Sequence, residues 1–371
     1  PFRRRSVTAG AYGGVTGGIA HRPAKVDPGR VLVEQRNMRV EVRHRGGPES
    51  LELIEEPLPT PGRGEVRIHV QAAGVSAYDR MQRARWFPGF PRTPYTPGLD
   101  AVGSVDAVGV GVAGLTVGQT VAGGPWPDGG GYARYLCRAA EDLVPVPDGL
   151  DPAEVACLIT DFLTAHQVLH ETAQVRPGER ILVHGGAGGV GSAILQLGNL
   201  AGLQMYATAS EANRDFVSGL GATPIDYRTE DFVARIRSLT GDGVDAVFDP
   251  IGGAAQLRRS YRCLRPGGRL VWFGVAAISR RGVRVIPESL LVRALLSLKR
   301  DGKQAPLPNT AERAEDRAAI LADLMGLLAD GSIRPRVAER IPLEQAPRAH
   351  ELLDRGGHAG KVVLVPGPPS T

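Results

Sequence analysis

The run ILVHGGAGGVGSAILQL, residues 181–197, restricts the fold of this chain more than any other segment. An apolar strand pattern leads into Gly186-x-Gly188-x-x-Gly191 and straight on into a helix pattern, and that series is the context in which the spacing signifies a dinucleotide-binding turn. The glycines answer three separate demands: a tight turn, close approach of backbone to a pyrophosphate, and close packing of helix on strand. The helix start then offers free N–H groups and a partial positive charge to phosphate. Gly186, Ala187, Gly188 and Gly191 are thus candidate coenzyme contacts.

A turn of this kind needs a parallel sheet around it. From Arg180 the apolar runs ILVHG, LQMYATA, TPIDY, VDAVFDP and GRLVWFGV alternate with helical segments, which predicts a parallel sheet with helices on both faces. In such a sheet the end of the second strand selects the coenzyme, because an acid there holds a ribose 2′-hydroxyl whereas a 2′-phosphate needs a cation and no acid. That end falls in ATASEANR. Ser210 in this place, with Arg214 one helical turn on, predicts NADPH; a shift of one residue would put Glu211 there and predict NADH instead.

From Met38 to about Pro147 the apolar period is close to two and turn residues recur every ten residues or so, which predicts an antiparallel barrel or sandwich. The period changes at DPAEVACLI, where Asp151 can cap, Pro152 takes the first helical position and Glu154 lies three after the cap. The stretch from Arg334 to the end reads strand, helix, strand and goes with the opening barrel.

Residues 1–37 carry seven of the 44 Lys and Arg and two of the 39 Asp and Glu, so 37 of each sign remain and the body is formally neutral. A neutral body gives no electrostatic footprint for nucleic acid. Residues 1–37 read as a disordered tail, the alternative being a targeting or partner-binding segment. They lack the apolar core of a signal peptide, and no run of about 18 apolar residues exists for a membrane span. Cys137, Cys157 and Cys263 lie far apart with no C-x-x-C pair, so neither a disulfide framework nor a cysteine-rich zinc lobe is available, and a cytoplasmic setting is expected.

With these pieces in order, the chain from Met38 onward resembles the medium-chain dehydrogenases/reductases, and within them the zinc-independent quinone oxidoreductase (zeta-crystallin-like) branch. The segments that carry the resemblance are GGPESLELIEEPLPTPGRGEV, AAGVSAYD, PGLDAVGSVDAVG, GGYARYL, DFLTAHQVL, VRPGERILVHGGAGGVGSAILQL, LGATPIDYRTEDF, GVDAVFDPIGG, LRPGGRLVWFG and GKVVL, which together span nearly the whole body. The resemblance implies a Rossmann-type doubly wound parallel sheet over 159–331 and a GroES-like, mostly antiparallel β-barrel domain built from 38–158 and 332–371. Zinc-dependent relatives carry a Cys in the segment matching AAGVSAYD and a His-Glu pair in the one matching PGLDAVG; here Ser76, Leu99 and Asp100 occupy those places. A hydroxyl and an isobutyl group cannot replace thiolate and imidazole, so no metal is expected. Within the branch, Ser76 and Asp161 stand where Asn is common, and His166 where Tyr is common.

The coenzyme this resemblance implies is NADPH. Gly188, Gly189 and Val190 would lie beneath its pyrophosphate, Ser210, Arg214 and Tyr227 at its 2′-phosphate, Thr164 against the nicotinamide, and Phe273 and Gly274 along the nicotinamide ribose. Plain packing roles compete for Tyr227, Phe273 and Thr164. The expected reaction is metal-free hydride transfer to a quinone or α,β-unsaturated carbonyl. The rival readings are a biosynthetic tailoring or enoyl-thioester reductase of the same fold, and a non-catalytic NADPH- or nucleic-acid-binding protein.

Candidate donors to the product oxygen are Ser76, Tyr78 and Tyr95, with Asp79 ordering their loop. Trp86, Phe87 and Phe90, together with Tyr95, are expected either to wall a flat apolar pocket or to seal the barrel against the nucleotide domain. His44, His69, His170 and His350 fit no metal spacing and read as packing or surface residues. In the proteins this chain resembles, a final edge strand pairs with its copy in a homodimer; the candidate here is GVRVI, residues 282–286, the alternative being an edge covered by the helix that follows.

Overall fold

The computed structural model describes residues 36–85, 89–124, 129–274, 276–278, 282, 284–307 and 314–367. Its first element is a hairpin in which β1 (Arg36–Val42) pairs antiparallel with β2 (Leu51–Pro57), Val42 opposite Leu51. The ladder includes Arg36 and Asn37, which the sequence assigns to the tail. Asn37 accepts the Tyr135 N–H at 2.9 Å and donates to Glu56 at 3.1 Å, and Arg36 pairs with Glu55 at 2.8 Å. Cross-strand polar bonds hold these two residues, which an apolar period does not register, so the described hairpin begins at Arg36.

The spine of the next sheet is β3 (Glu65–Val75). Val66, Ile68 and Val70 are buried while Arg67 and His69 are half-buried, but from Ala72 onward every residue is buried. Here the helix Pro152–Cys157 covers the other face, so alternation gives way to small apolar residues on both sides. Beyond β3 come β4 (Ala101–Val108), β5 (Thr120–Gly123) and β7 (Val144–Pro145), and β6 (Tyr135–Ala139) pairs the opposite edge of β3 over its first half.

Each of the five apolar runs after Arg180 is a strand: β8 (Arg180–His184), β9 (Gln204–Ala209), β10 (Ala222–Asp226), β11 (Val244–Asp249) and β12 (Leu264–Trp272). All pair in parallel in the order β10–β9–β8–β11–β12, and all six residues of β11 are buried, as two-sided coverage demands. The order reverses between β8 and β11, the place where sheets of this kind open a crevice at their carboxyl edge.

The chain then returns to the first sheet. There β14 (Lys361–Val365) joins the last part of β3, and β13 (Val337–Pro342) lies parallel outside it. The resulting order is β13–β14–β3–β4–β5–β7, and among the described residues its two ends do not pair. The sheet shows no barrel closure among the described residues. Its last strand, β7, is two residues long and includes Pro145, which has no N–H, so it offers no ladder for closure.

The described residues of 282–286 do not form the expected edge strand. A helix, Val285–Ser297, begins inside it, with Pro287 and Glu288 in the first turn, where a missing N–H costs nothing and an acid meets the positive helix end. The outer edge of β12 is met by other residues: Gly267 donates to Gly302 O at 3.1 Å, Gln304 to Gly268 O at 2.9 Å and Leu270 to Gln304 O at 2.9 Å.

One hydrophobic seam runs from Ile181, Val183 and Phe248 of the parallel sheet, through Leu158, Phe162 and Leu169 of a helical run over 152–172, to Ala72, Val102 and Val363 of the other sheet. That run contains two π-helical turns, Leu158–Phe162 and Gln167–Thr172, and such turns often mark functional sites.

Candidate functional site

The glycine turn follows β8 and enters the helix Gly189–Leu200. The left-handed conformation falls on Gly185, φ +68°, one residue ahead of the motif. Gly186 faces β9, where a Cβ would come within 2.6 Å of the Ala207 methyl, and a Cβ on Gly191 would strike the Gly185 carbonyl. These two are packing glycines. A Cβ on Gly188 would meet only the Gly185 carbonyl, at 3.4 Å, so the turn is open on that side. No side chain caps the helix and no acid stands in its first turn, which leaves its first N–H groups free for an anion. From the far side Gly360 donates to Ala187 O at 2.8 Å and forms a bridge with Gly188. This open, uncapped helix start fits the pyrophosphate of a dinucleotide.

At the second strand end, Ser210 directly follows β9 and is buried, and Arg214 opens the helix Arg214–Gly219. Glu211 lies beyond the strand end, exposed, with its carboxylate 3.5 Å from Arg214. Tyr227 donates its N–H to Ala209 O at 3.4 Å, which sets its backbone at the same corner, while its half-exposed ring lies 5.7 Å from the Arg228 guanidinium. The chain thus brings the backbones of Ser210, Arg214 and Tyr227 to one corner. The corner also contains Arg336, whose guanidinium lies 5.1 Å from the Phe216 ring and whose carbonyl accepts the Lys361 N–H. Sequence reasoning misses Arg336 because no local pattern links it to a turn about 150 residues upstream.

Phe273 and Gly274 extend β12 at the carboxyl edge of the sheet. Phe273 donates to Asp249 O at 3.1 Å and packs on the shared seam, and a Cβ on Gly274 would lie 2.7 Å from Pro250 O, so only glycine permits this approach. Thr164 lies in the helical run beside the helix Gly189–Leu200.

The candidate catalytic residues divide into two groups. Ser76 caps the helix Ala77–Ala84: its hydroxyl donates to Asp79 Oδ2 at 2.6 Å and accepts the Asp79 N–H at 3.2 Å, while its own N–H donates to Asp79 Oδ2 at 2.8 Å. Asp79 Oδ1 accepts Gly98 N–H at 3.0 Å, so one buried carboxylate ties AAGVSAYD to PGLD. Burial pushes the Asp79 carboxyl up to about 6 against the opposing hydrogen bonds from Ser76, with Asp100 adding to the rise. Tyr95 stands apart: Arg45 lies 5.0 Å over its ring, with Nη1 3.4 Å from its hydroxyl, and burial raises its pKa. Tyr78 packs edge-on against Phe90 at 5.2 Å. Trp86 and Phe87 lie outside the described residues.

Two further groups surround this centre. Lys361, at the start of β14, is 2.8 Å from Asp100 and 3.3 Å from Asp161, all three buried, and Thr160 donates to Asp100. A Cβ on Gly74 would strike the Lys361–Asp100 pair. Burial works against the Lys361 ammonium, but Asp100 and Asp161 outweigh it and keep it charged. The only sequence signal was a lysine in GKVVL, whose partners lie far away in the chain. The other group is Tyr132 with His350, 3.2 Å apart and fully buried.

At the positions where zinc-dependent relatives carry ligands, Leu99 is core and Asp100 is paired to a lysine. Among the described residues no three His, Cys, Asp or Glu side chains converge as a metal site.

Comparison with known proteins accords with this geometry. Residues 62–148 match the family described as alcohol dehydrogenase GroES-like domain, and residues 220–364 the one described as zinc-binding dehydrogenase. The chain is 32% identical to the synaptic vesicle membrane protein VAT-1 homolog of Rattus norvegicus, over 87% of this chain and 82% of that one. It is 33% identical to a 2-haloacrylate reductase of Burkholderia sp (89% and 99%) and 33% identical to a quinone oxidoreductase of Pseudomonas aeruginosa (88% and 99%). Among solved structures, Escherichia coli quinone oxidoreductase complexed with NADPH superposes with a TM-score of 0.80 at 28% identity, covering 89% of this chain and all of that one.

Proposed function

The chain belongs to the medium-chain dehydrogenase/reductase family, in its quinone oxidoreductase branch, and is an NADPH-dependent oxidoreductase; from that premise we propose that it reduces quinones or α,β-unsaturated carbonyl compounds without a metal. The observation that carries this reading is the Ser76–Asp79 pair, which puts a buried, hydrogen-bonded hydroxyl where zinc-dependent relatives keep a thiolate. The relative named 2-haloacrylate reductase takes an activated alkene, which supports an acceptor of this class.

NADPH supplies the hydride when bound. The chain's own residues hold it and manage the proton. Gly188, Gly189 and Val190 would cradle the pyrophosphate; Ser210, Arg214 and Tyr227 would take the 2′-phosphate; Thr164, Phe273 and Gly274 would border the nicotinamide end. The reaction consumes one proton at the product oxygen. With Asp79 protonated, its O–H can donate to Ser76 Oγ, and the Ser76 O–H is then free to donate to the acceptor oxygen. When Asp79 loses its proton, the Ser76 hydroxyl turns back to it, as in the geometry described above. Tyr78 and Tyr95 are held by Phe90 and Arg45 and would shape the pocket around Ser76.

The structural halves are assigned as 38–158 with 332–371 for the acceptor side and 159–331 for the coenzyme side. No helix among the described residues is long and apolar enough to cross a membrane, and the three cysteines are free thiols, which supports work in a cytoplasmic setting. A homodimer is retained, with a different contact. The helix Val285–Ser297 and its C-cap expose Leu291, Leu295 and Leu298 on one face, and burying that face against a second copy would remove it from water.

The deciding experiment is a turnover screen of quinones, enones and enoyl thioesters with NADPH and with NADH, before and after dialysis against a chelator. Turnover of a quinone or enone with NADPH, unchanged by the chelator, is expected. Activity confined to enoyl thioesters selects the rival reading of an enoyl-thioester reductase, and activity lost with the chelator and restored by zinc overturns the metal-free reading.

A further inference from the structure

We propose that Asp161 takes up one proton when NADPH occupies the glycine turn, so that the coenzyme affinity of this chain falls as pH rises. The inference rests on the placement of the coenzyme at that turn.

Asp161 sits in the π-helical turn Leu158–Phe162, with its carboxylate pressed against the first residue of the dinucleotide helix. A Cβ on Gly189 would strike Asp161 Oδ2 and lie 3.0 Å from Oδ1, so glycine at 189 is what admits the carboxylate. The side chain is 9% exposed. Its Oδ1 is 3.3 Å from Lys361 Nζ, and its Oδ2 has no hydrogen-bond partner among the described residues. The helix Ala314–Ala329, which carries Arg317 and Asp323, packs on the same π-helical turn. The helical run that holds Asp161 contributes the Thr160 hydroxyl, which donates to Asp100, and the buried Cys157 thiol. The start of β14 contributes Lys361. The segment before β4 contributes Asp100, 2.8 Å from Lys361, with Asp79 behind it. The first turn of the helix Gly189–Leu200 contributes no charged side chain.

Two carboxylates thus share one ammonium, and the shorter contact goes to Asp100. Asp161 is the less compensated of the two. A pyrophosphate at the same helix start adds about two negative charges, and Lys361, the buried cation in contact with Asp161, is already shared with Asp100. Anions side by side in a poorly hydrated site raise each other's proton affinity, and the carboxylate is the more basic partner. The step is one O–H bond formed at Asp161 with a proton from solvent; nothing is oxidised or reduced. Burial already pushes this carboxyl up, with Lys361 opposing. An asparagine keeps the shape without the charge.

The test is calorimetric titration of the wild type and of Asp161→Asn with NADPH, and again with NADH, which has no 2′-phosphate to titrate. Each titration is run between pH 6.5 and 8.5 in two buffers of different ionisation enthalpy, which counts protons directly. The wild type should take up as much as one more proton per coenzyme than the variant. Its affinity should fall about tenfold more than the variant's across that range. Equal proton counts in the two proteins overturn the inference, as does loss of the uptake in Asp100→Asn and not in Asp161→Asn. If Asp161→Asn does not fold, Asp161→Ser replaces it, and zero uptake of protons by the wild type with NADH at every pH overturns the inference without any variant. Absence of saturable binding of either coenzyme to the wild type overturns the placement at the turn and this inference with it.

Discussion

At the scale of single residues, the site depends on charges with unequal compensation. Arg214 has one exposed partner, Glu211, and is the cation that a 2′-phosphate would meet. Arg214→Ala should weaken NADPH binding about tenfold or more while leaving NADH nearly unchanged, since hydrogen bonds to charged groups contribute about 1.5–3 kcal/mol. Coenzyme fluorescence titrations check this, and an unchanged ratio of the two affinities would place the phosphate elsewhere. His350 gives a stability prediction. Burial, with Arg83 and Arg80 adding to it, depresses its imidazole from 6.5 to about 3, so folding requires it neutral. Its contribution is complete above about pH 6.5 and is lost as pH falls toward 3, with a slope of up to about 1.4 kcal/mol per pH unit. Asp79 works in the opposite sense: its raised carboxyl stabilises below about pH 4, and that share is lost as pH rises through about 6. His350→Gln should therefore lose less melting temperature than the wild type between pH 7 and 4, measured by circular dichroism.

At the scale of elements, the glycine turn separates folding from binding within six residues. Gly191→Ala places a methyl against the Gly185 carbonyl, a backbone atom that cannot move aside. Such overpacking costs about 1–3 kcal/mol, so the melting temperature should drop and coenzyme binding with it. Gly188→Ala places its methyl on the open side of the turn, 3.4 Å from the same carbonyl. That variant should melt near the wild-type temperature and still fail to bind NADPH. NADPH binding retained by Gly188→Ala would show that the open side is not the coenzyme side. The turn also illustrates the limits of a motif: the spacing marks Gly186, Gly188 and Gly191, yet the residue with positive φ is Gly185.

At the scale of the whole molecule, two predictions concern what surrounds the body. Light scattering at micromolar concentration should give about twice the chain mass. Leu291→Glu with Leu295→Glu should return it to one chain mass, because two carboxylates on that face make burial costly. A wild-type monomer would refute the dimer. Deleting residues 1–35 should leave coenzyme binding and turnover intact, whereas deletion through Asn37 removes the bonds to Tyr135 and Glu56 and should lower stability. A 1–35 deletion that folds without turnover would give the tail a function.

The sequence by itself determined much of what depends on near neighbours in the chain. The five parallel strands, the glycine turn with its helix, the cap at Asp151 and the Ser210–Arg214 pair were legible because period, capping and spacing are local properties. Residues 282–286 misled for the same reason. An alternating run fits an edge strand, but Pro287 and Glu288 also suit a helix start, and packing on the helix Ala254–Arg262 settles the choice. Barrel closure was not legible, because it depends on whether distant strand ends meet, which strand periodicity does not contain. Tertiary structure alone brought Lys361 between Asp100 and Asp161, Arg336 beside Phe216, and Asp161 against Gly189. Each joins residues far apart in the chain, and no local pattern announces a buried charge whose partner arrives only when both sheets have packed on the same helical run.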